Sequence, residues 1–458
     1  MTGNDTDTNA EDGLEEVHVV TVFLREAGEV LLLRRSDAVG SYSGRWGAVA
    51  GHVESETRPL GASGAGRDAS EGDPDAAARE EIREETGIDP DAETALVRRG
   101  DPFDVVDSGL GRRWVVHPYL FDCETRVVEP NAETSEFEWA APTAIRRRET
   151  VPDLWTAYDR VRPTVETVAD DADHGSAWIS LRALEVLRDE AALAAERPDD
   201  GDPWSTLATL ARDLLDARPS MAVVANRVNR AMAAAAETAT PAALETAAFE
   251  GIDRAVAADA DAAAIAADRL PDRIATLSRS GTVAATVERA EPDAVLVAES
   301  RPGREGVDTA ERAAERTDAA VTLTTDAALA DRLAATEIGA VVVGADTLAP
   351  DGSVVNKVGT RAAAAAASAE GIDCCVVAAS DKIAAGGEEG DPGTDDIDRE
   401  ERGPGEVYDG DAPVAVANPT FDVTPPGLVD AVVTERGVLD ADGVRAVADE
   451  HAALAGWR

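Results

Sequence analysis

The spacing of apolar residues divides this chain into stretches of different character. Between residues 17 and 50 the runs VHVVTVFL and EVLLLRR are short and rich in β-branched residues, with Gly28 between them, and they read as two strands and a turn. An acidic, Gly-rich stretch, SETRPLGASGAGRDASEGDPD, reads as a loop insertion, and Ala76 to Thr86 then reads as a helix closed by Gly87. Another strand, WVVHPYLFDC, leads to EFEWAAP and a boundary near residues 145–165. From there to residue 265 the pattern is helical, as in WISLRALEVLRDEAALAAE. After residue 270 the runs AVLVAES, AAVTLTTD, AVVVGAD, CCVVAAS and APVAVANP alternate with Ala-rich helical segments, which predicts a parallel, doubly wound sheet. The expected organisation is an acidic disordered tail (1–14), a first domain (15–147), a helical subdomain (148–265) and an α/β domain (266–458). The last carries an acidic, Gly-rich surface loop at 384–411 that reads as disordered.

Composition changes this picture mainly in its electrostatics. The 458 residues are enough for two or three domains, and 44% are hydrophobic, but aromatics are only 4%, so Ala and Val must fill much of the interior. Asp and Glu number 90 against 43 Lys and Arg, a formal charge of -47, and Lys357 and Lys382 are the only lysines. Such a chain repels itself in dilute buffer, whereas at molar salt the Debye length is about 3 Å and the repulsion fades. Acid excess with lysine scarcity resembles the proteins of a halophilic archaeon, so the charge reads as a solubility adaptation, and direct nucleic-acid binding is disfavoured. Cys123, Cys374 and Cys375 form neither a disulfide framework nor a zinc pattern. The start is polar and no long uncharged apolar run occurs, so a cytoplasmic protein without a membrane partner is expected.

The first candidate chemistry lies on the predicted helix. In Glu81-Ile82-Arg83-Glu84-Glu85 the three acids sit at i, i+3 and i+4 and share one face. Bare, they repel one another; a hard cation such as Mg²⁺ or Mn²⁺ would reverse that penalty, bridge phosphate oxygens and activate water. In so acidic a chain a Glu-rich turn is ordinarily a solvated face, and its context separates this one. The segment Gly44-Arg45-Trp46-Gly47-Ala48-Val49-Ala50-Gly51-His52-Val53-Glu54 precedes it, and Gly87-Ile88 ends it. Together these resemble the Nudix hydrolase family over residues 15–147, with Gly51 opening the family's box and Trp139 following in family order. The resemblance implies an α/β/α sandwich, with Glu81, Glu84 and Glu85 as catalytic metal ligands for Mg²⁺ or Mn²⁺. A further ligand would precede Trp139, with Glu133 and Glu136 the candidates and Glu136 favoured. Two departures stand out: Glu80 occupies the family's arginine position beside Arg79 and Arg83, and Thr57 the expected glutamate, with Glu56 adjacent and Glu71 after the insertion.

The second candidate site gathers where the later strands end, since ligands of open parallel sheets collect beyond the strands' carboxyl ends. Ser278-Arg279-Ser280-Gly281-Thr282 has the make-up of an anion-binding turn at a helix start, and Arg279, Arg301 and Arg304 could grip phosphate. Gly344-Ala345-Asp346, Asn356-Lys357, Ser380-Asp381-Lys382 and Asn418-Pro419-Thr420-Phe421-Asp422 are polar in the same way, and both lysines fall in such turns. With Ala217-Arg218-Pro219-Ser220, these segments resemble, over residues 165–450, the family uniting the alpha/beta/delta-type subunits of translation initiation factor 2B with methylthioribose-1-phosphate and ribose-1,5-bisphosphate isomerases. That resemblance implies a helical subdomain, a Rossmann-like core, a homodimer or larger assembly, and a pocket for a nucleotide or sugar phosphate. It also implies a catalytic cysteine and aspartate in the isomerases; the aspartate is Asp346, whereas the cysteine position holds Ser278, whose hydroxyl ionises far less readily than a thiol. The expectations are therefore a Mg²⁺-dependent hydrolase of a nucleoside-diphosphate-linked substrate fused to a domain that binds a phosphorylated small molecule. The alternatives are a translation-related regulator partnering initiation factor 2, and an aldose–ketose sugar-phosphate isomerase.

Overall fold

The computed structural model describes residues 14–53, 72–172, 174–197, 201–386 and 399–458. Most of the acidic tail, Glu54, Glu56, Thr57 and Glu71 lie outside them, as does the stretch 387–398 of the expected loop. Two compact units result, Met1–Pro163 and Thr164–Arg458. No described helix is long and apolar enough to cross a membrane.

In the first unit, strands β1 (Glu15–Glu26), β2 (Glu29–Arg35), β3 (Trp46–Gly47) and β4 (Val49–His52) precede helix α1 (Pro74–Thr86). Strands β5 (Thr94–Arg99), β6 (Phe103–Asp107), β7 (Arg112–Cys123) and β8 (Thr134–Ala140) follow, and helix α2 (Leu154–Asp159) comes after them. Among the described residues they build one eight-stranded sheet around the parallel pair β1–β7. Its central strand is apolar on both faces. Val20, Val22 and Leu24 pack with Ala78 and Ile82 of α1, whereas Phe23 packs with Leu154, Ala157 and Tyr158 of α2. The sheet between two helices is the expected α/β/α sandwich. The expected boundary at 147 moves, because Leu154, Ala157, Tyr158 and Val161 are buried in this core and residues 148–163 belong to it.

The second unit starts with helices α3 (Val165–Asp170), α4 (Ser176–Ala195), α5 (Pro203–Ala217), α6 (Ala222–Ala235) and α7 (Pro241–Ala267). Their apolar faces meet in one cluster that includes Leu184, Leu187, Leu207, Leu214, Val228 and Leu244. Alternation follows: β9 (Arg273–Leu277), α8 (Gly281–Ala290), β10 (Ala294–Ala298), α9 (Glu305–Arg316), β11 (Ala320–Thr324), α10 (Leu329–Ala335) and β12 (Ala340–Val343). The short strands β13 (Thr347–Leu348) and β14 (Val354–Lys357) lead to α11 (Thr360–Glu370) and β15 (Asp373–Val377). Strands β16 (Phe421–Thr424), β17 (Ala431–Thr434) and β18 (Gly437–Leu439) and helix α12 (Ala441–Leu454) complete it.

The sheet order β11-β10-β9-β12-β15-β17-β18 is parallel through β17, as the alternation predicts. Alanines do fill the interior: Ala262 and Ala266 of α7 lie against Ile274, Val295 and Val342. One predicted strand is absent. APVAVANP forms no strand, because it is Pro-flanked and leaves Val414 56% exposed; Ala431–Thr434 takes the place beside β15 instead. The end of the expected disordered loop is also tied down, through Arg402 N–H to the Asn418 carbonyl (2.9 Å) and a bridge between Glu401 and Pro419.

Candidate functional site

Helix α1 begins and ends on local signals. The Asp73 side chain accepts from Asp75 N–H as the N-cap, and Gly87 closes the helix at φ 72, its N–H bonded to Arg83. Asp75 is pinned by Arg99 and, at 2.8 Å, by the Tyr119 hydroxyl, and Arg99 first of all holds its carboxyl below the usual range. Arg79 reaches Asp91 at 2.9 Å and Arg83 reaches it at 3.6 Å. With Glu80 in the family's arginine position, these ion pairs anchor the helix.

Amphipathic packing then places the acids. Ala78, Ile82 and Thr86 face the core, and Glu85 falls on the same buried stripe with 6% exposure. Its carboxylate accepts from Ala50 N–H (3.2 Å), yet burial, and next Glu81, push its pKa up to about 8. Gly51 is where strand β4 passes α1 most closely; a Cβ there would stand 1.6 Å from Glu81 Oε1. Glu81 and Glu84 open into a cavity of about 370 Å³, faced by Glu133, Asn131, Arg35 and Arg112 and floored by Val105, Trp114, Val116 and Val151.

The structure thus divides the expected ligands. Glu81, Glu84 and Glu133 line the cavity, Glu85 lies buried beside Ala50, and Glu136 instead bonds Arg34 at 3.2 Å. Glu133 rather than Glu136 faces the helix because its chain is held by Ser36 N–H on its carbonyl (2.7 Å) and by Asn131 on its amide (2.9 Å). Among the described residues no three His, Cys, Asp or Glu side chains form a closed metal group. The donor set nonetheless suits a hard divalent cation, being clustered carboxylate oxygens, of which Glu85 is raised first by burial and next by Glu81. Trp114, Arg35 and Arg112 carry no signal in the sequence; they sit in ordinary strand patterns and only the cavity marks them.

In the second unit the chain reverses its lateral direction at β9, which has β10 on one side and β12 on the other. That is the switch point where such sheets bind ligands. Ser278 leaves β9 at φ 64, its N–H donating to Ser300 Oγ (2.6 Å) and its carbonyl accepting from Thr309 (2.6 Å). Ser280 caps α8 through Val283 N–H. Beyond β12, Asp346 accepts from Ser176 Oγ at 2.9 Å.

Two cavities meet here, sharing Ser278, Arg279, Asp346, His174, Gly175 and Ser176. The first, about 370 Å³, adds Ser280, Gly281, Asn356, Lys382 and Trp178; the second, about 240 Å³, adds Arg218, Arg402, Lys357, Glu305 and Asp308. Both lysines are buried: Lys382 Nζ donates to the Ala345 carbonyl (2.5 Å), and Lys357 Nζ pairs with Glu305 (2.7 Å) while burial lowers its pKa. Arg301 and Arg304 fall outside both cavities. Their loop turns through positive φ at Ser300 and Arg304, and both guanidiniums pair outward with Glu299, at 3.5 and 3.4 Å. Asp381 serves the core: burial opposes its charge, but Arg227 and Arg230 outweigh that and keep its pKa low. His174, Ser176 and Trp178 escape sequence reasoning, because they precede or open a helix whose pattern reads only as packing.

A helical layer on a Rossmann-like sheet, with an anion-type turn at the switch point, defines a small-molecule-binding α/β unit, and the same chain carries a carboxylate-helix unit. The chain belongs to the Initiation factor 2 subunit family, whose family model matches residues 172–441, and the NUDIX domain model matches residues 15–161. It is similar to a ribose 1,5-bisphosphate isomerase from Haloferax volcanii, 33% identical over 304 residues, 62% of this chain and 92% of that protein. A methylthioribose-1-phosphate isomerase from Pseudomonas putida is 30% identical over 319 residues, 62% of this chain and 86% of that protein. Among solved structures, a translation initiation factor eIF-2B from Pyrococcus horikoshii superposes with a TM-score of 0.51 at 26% identity, over 60% of this chain and 94% of that one.

Proposed function

We propose that the first unit hydrolyses a diphosphate linkage in a nucleoside-diphosphate derivative with a divalent cation, Mg²⁺ or Mn²⁺. The observation that carries this is one cavity lined both by the carboxylates of Glu81, Glu84 and Glu133 and by the apolar side chains of Trp114, Val105 and Val116. A cation held by Glu81, Glu84, Glu85 and Glu133 would neutralise phosphate oxygens and lower the pKa of water. Arg35 and Arg112 add positive charge beside the phosphates, and the Trp114 floor takes a flat apolar group and keeps water from it. The test is phosphate release from a panel of nucleotide derivatives in multimolar KCl with Mg²⁺. Release should fall at least about a hundredfold in a Glu84→Gln, Glu85→Gln double variant; unchanged release would end this reading.

The second unit, on this proposal, binds a sugar carrying phosphate at both ends. The adjoining cavities support it: the α8 start and Lys382 stand in one, Arg218, Arg402 and Lys357 in the other. A thermal shift with ribose 1,5-bisphosphate at high salt tests this directly, and no shift at millimolar ligand would refute it.

A further inference from the structure

The short segment before α4 holds an acid–imidazole pair to which neither proposed activity gives a role. The His174 ring nitrogen Nδ1 lies 2.8 Å from Asp171 Oδ2, and His174 N–H donates to the other carboxylate oxygen at 2.8 Å. A carboxylate can only accept, so Nδ1 carries a proton, and in the neutral ring Nε2 is the nitrogen with the lone pair. The ring is further fixed by stacking on Trp178, with centroids 3.8 Å apart and planes 10° from parallel. Asp171 is itself held, since Arg218 donates to its carbonyl and to that of Val168.

This dyad faces the switch-point site. Of the residues common to both cavities, only Asp346, His174 and Arg279 are ionisable. Arg279 keeps its proton, and the hydroxyls of Ser176 and Ser278 do not ionise at neutral pH. Lys382 and Lys357 are engaged by a carbonyl and by Glu305. Two proton carriers remain at the seam, one imidazole and one carboxylate.

We propose that His174, oriented by Asp171, is a general base that moves a proton between adjacent carbons of an aldose 1-phosphate bound across both cavities; this rests on the sugar-phosphate reading of the site. The ring C1–O bond breaks as the ring oxygen takes a proton. The C2–H bond then breaks, its electron pair forming C1=C2, and Nε2 takes the proton. The partly exposed imidazolium exchanges that proton with solvent and then delivers one to C1, while O2 loses its own as the C2 carbonyl forms. Asp346 donates to the ring oxygen and recovers a proton from O2. C1 is reduced and C2 oxidised within one molecule, with no outside oxidant, and the Asp171 carboxylate steadies the transient imidazolium.

The experiment incubates the full chain with ribose 1,5-bisphosphate in D₂O at molar KCl, following conversion, deuterium at C1 and ligand-induced thermal shift. Wild type should convert the sugar with deuterium incorporated at C1. His174→Gln should lose about a hundredfold in both while keeping its thermal shift. Asp171→Asn, which leaves its backbone contact with Arg218 intact, should lose part of the rate and none of the binding. Wild-type rates in His174→Gln overturn the assignment. So does loss of its thermal shift, which would make His174 a phosphate anchor, and so does conversion without deuterium, which would mean direct hydride passage. Wild type that binds without converting also overturns it and leaves the sugar-phosphate reading standing; absence of any shift in wild type overturns that reading instead.

Discussion

Glu81 owes its place to the residue opposite it. With Gly51 the strand can pass within contact of the carboxylate; a methyl there would stand 1.6 Å from Oε1. Because the displaced atoms end a flexible side chain, Gly51→Ala should leave the thermal midpoint near wild type while hydrolysis falls by about a hundredfold, the cost of a misplaced catalytic group. Midpoint and phosphate release measured on one preparation separate the two effects. His451 gives a residue-scale prediction of another kind. It is fully buried, its Nδ1 bonded to the Ile383 carbonyl (2.8 Å), with Arg230 3.2 Å and Asp381 3.8 Å from Nε2. Burial chiefly lowers its pKa from the ordinary 6.5. As pH falls, the unfolded chain therefore binds the proton first, so the stability this ring contributes is intact above about pH 6.5 and lost below it. Urea midpoints of the second unit should decline from there downwards, and His451→Gln should flatten that part of the curve. Asp381, with its depressed pKa, contributes stability above 3.8 and loses it only in stronger acid.

At the scale of elements, α2 decides where the first unit ends. Its Leu154, Ala157 and Tyr158 close one face of the central sheet around Phe23. A chain stopped at Pro163 should fold with a cooperative melt, whereas one stopped at Arg147 should expose that face and aggregate, as light scattering would report. Equal, cooperative melts would mean that α2 is dispensable. The same segment explains why sequence alone places the boundary early: a six-residue helix is too short to show a period, and what fixes it is the apolar face it covers. Longer elements are legible. β1, α1 and the β/α alternation after residue 270 carry strong patterns, and each forms the kind of element its pattern predicts. APVAVANP departs from expectation because an apolar run predicts burial, and only packing decides whether a neighbouring strand needs it.

Across the whole molecule, charge governs stability. A chain at -47 gains stability as its acids are screened, so the thermal midpoint should climb between 0.1 and 2 M KCl. An equal osmolality of sucrose should not reproduce the full gain; if it does, exclusion of cosolute rather than screening is responsible.

By itself the sequence determined the class of both units and nominated candidate residues, several of which line cavities in the structure. Helical period put Glu81, Glu84 and Glu85 on one face, and polar turns after apolar strands put Ser278, Arg279, Asp346 and Lys382 at one edge of a sheet. Only the tertiary structure decided direction and company. It turned Glu133 towards the cavity and Glu136 towards Arg34, sent Arg301 and Arg304 out to Glu299, and brought His174 to the seam between two cavities. The physical reason is that period and composition are local properties of a chain. Which side chains converge depends on loop backbone and on contacts between residues more than a hundred positions apart, such as Ser176 with Asp346.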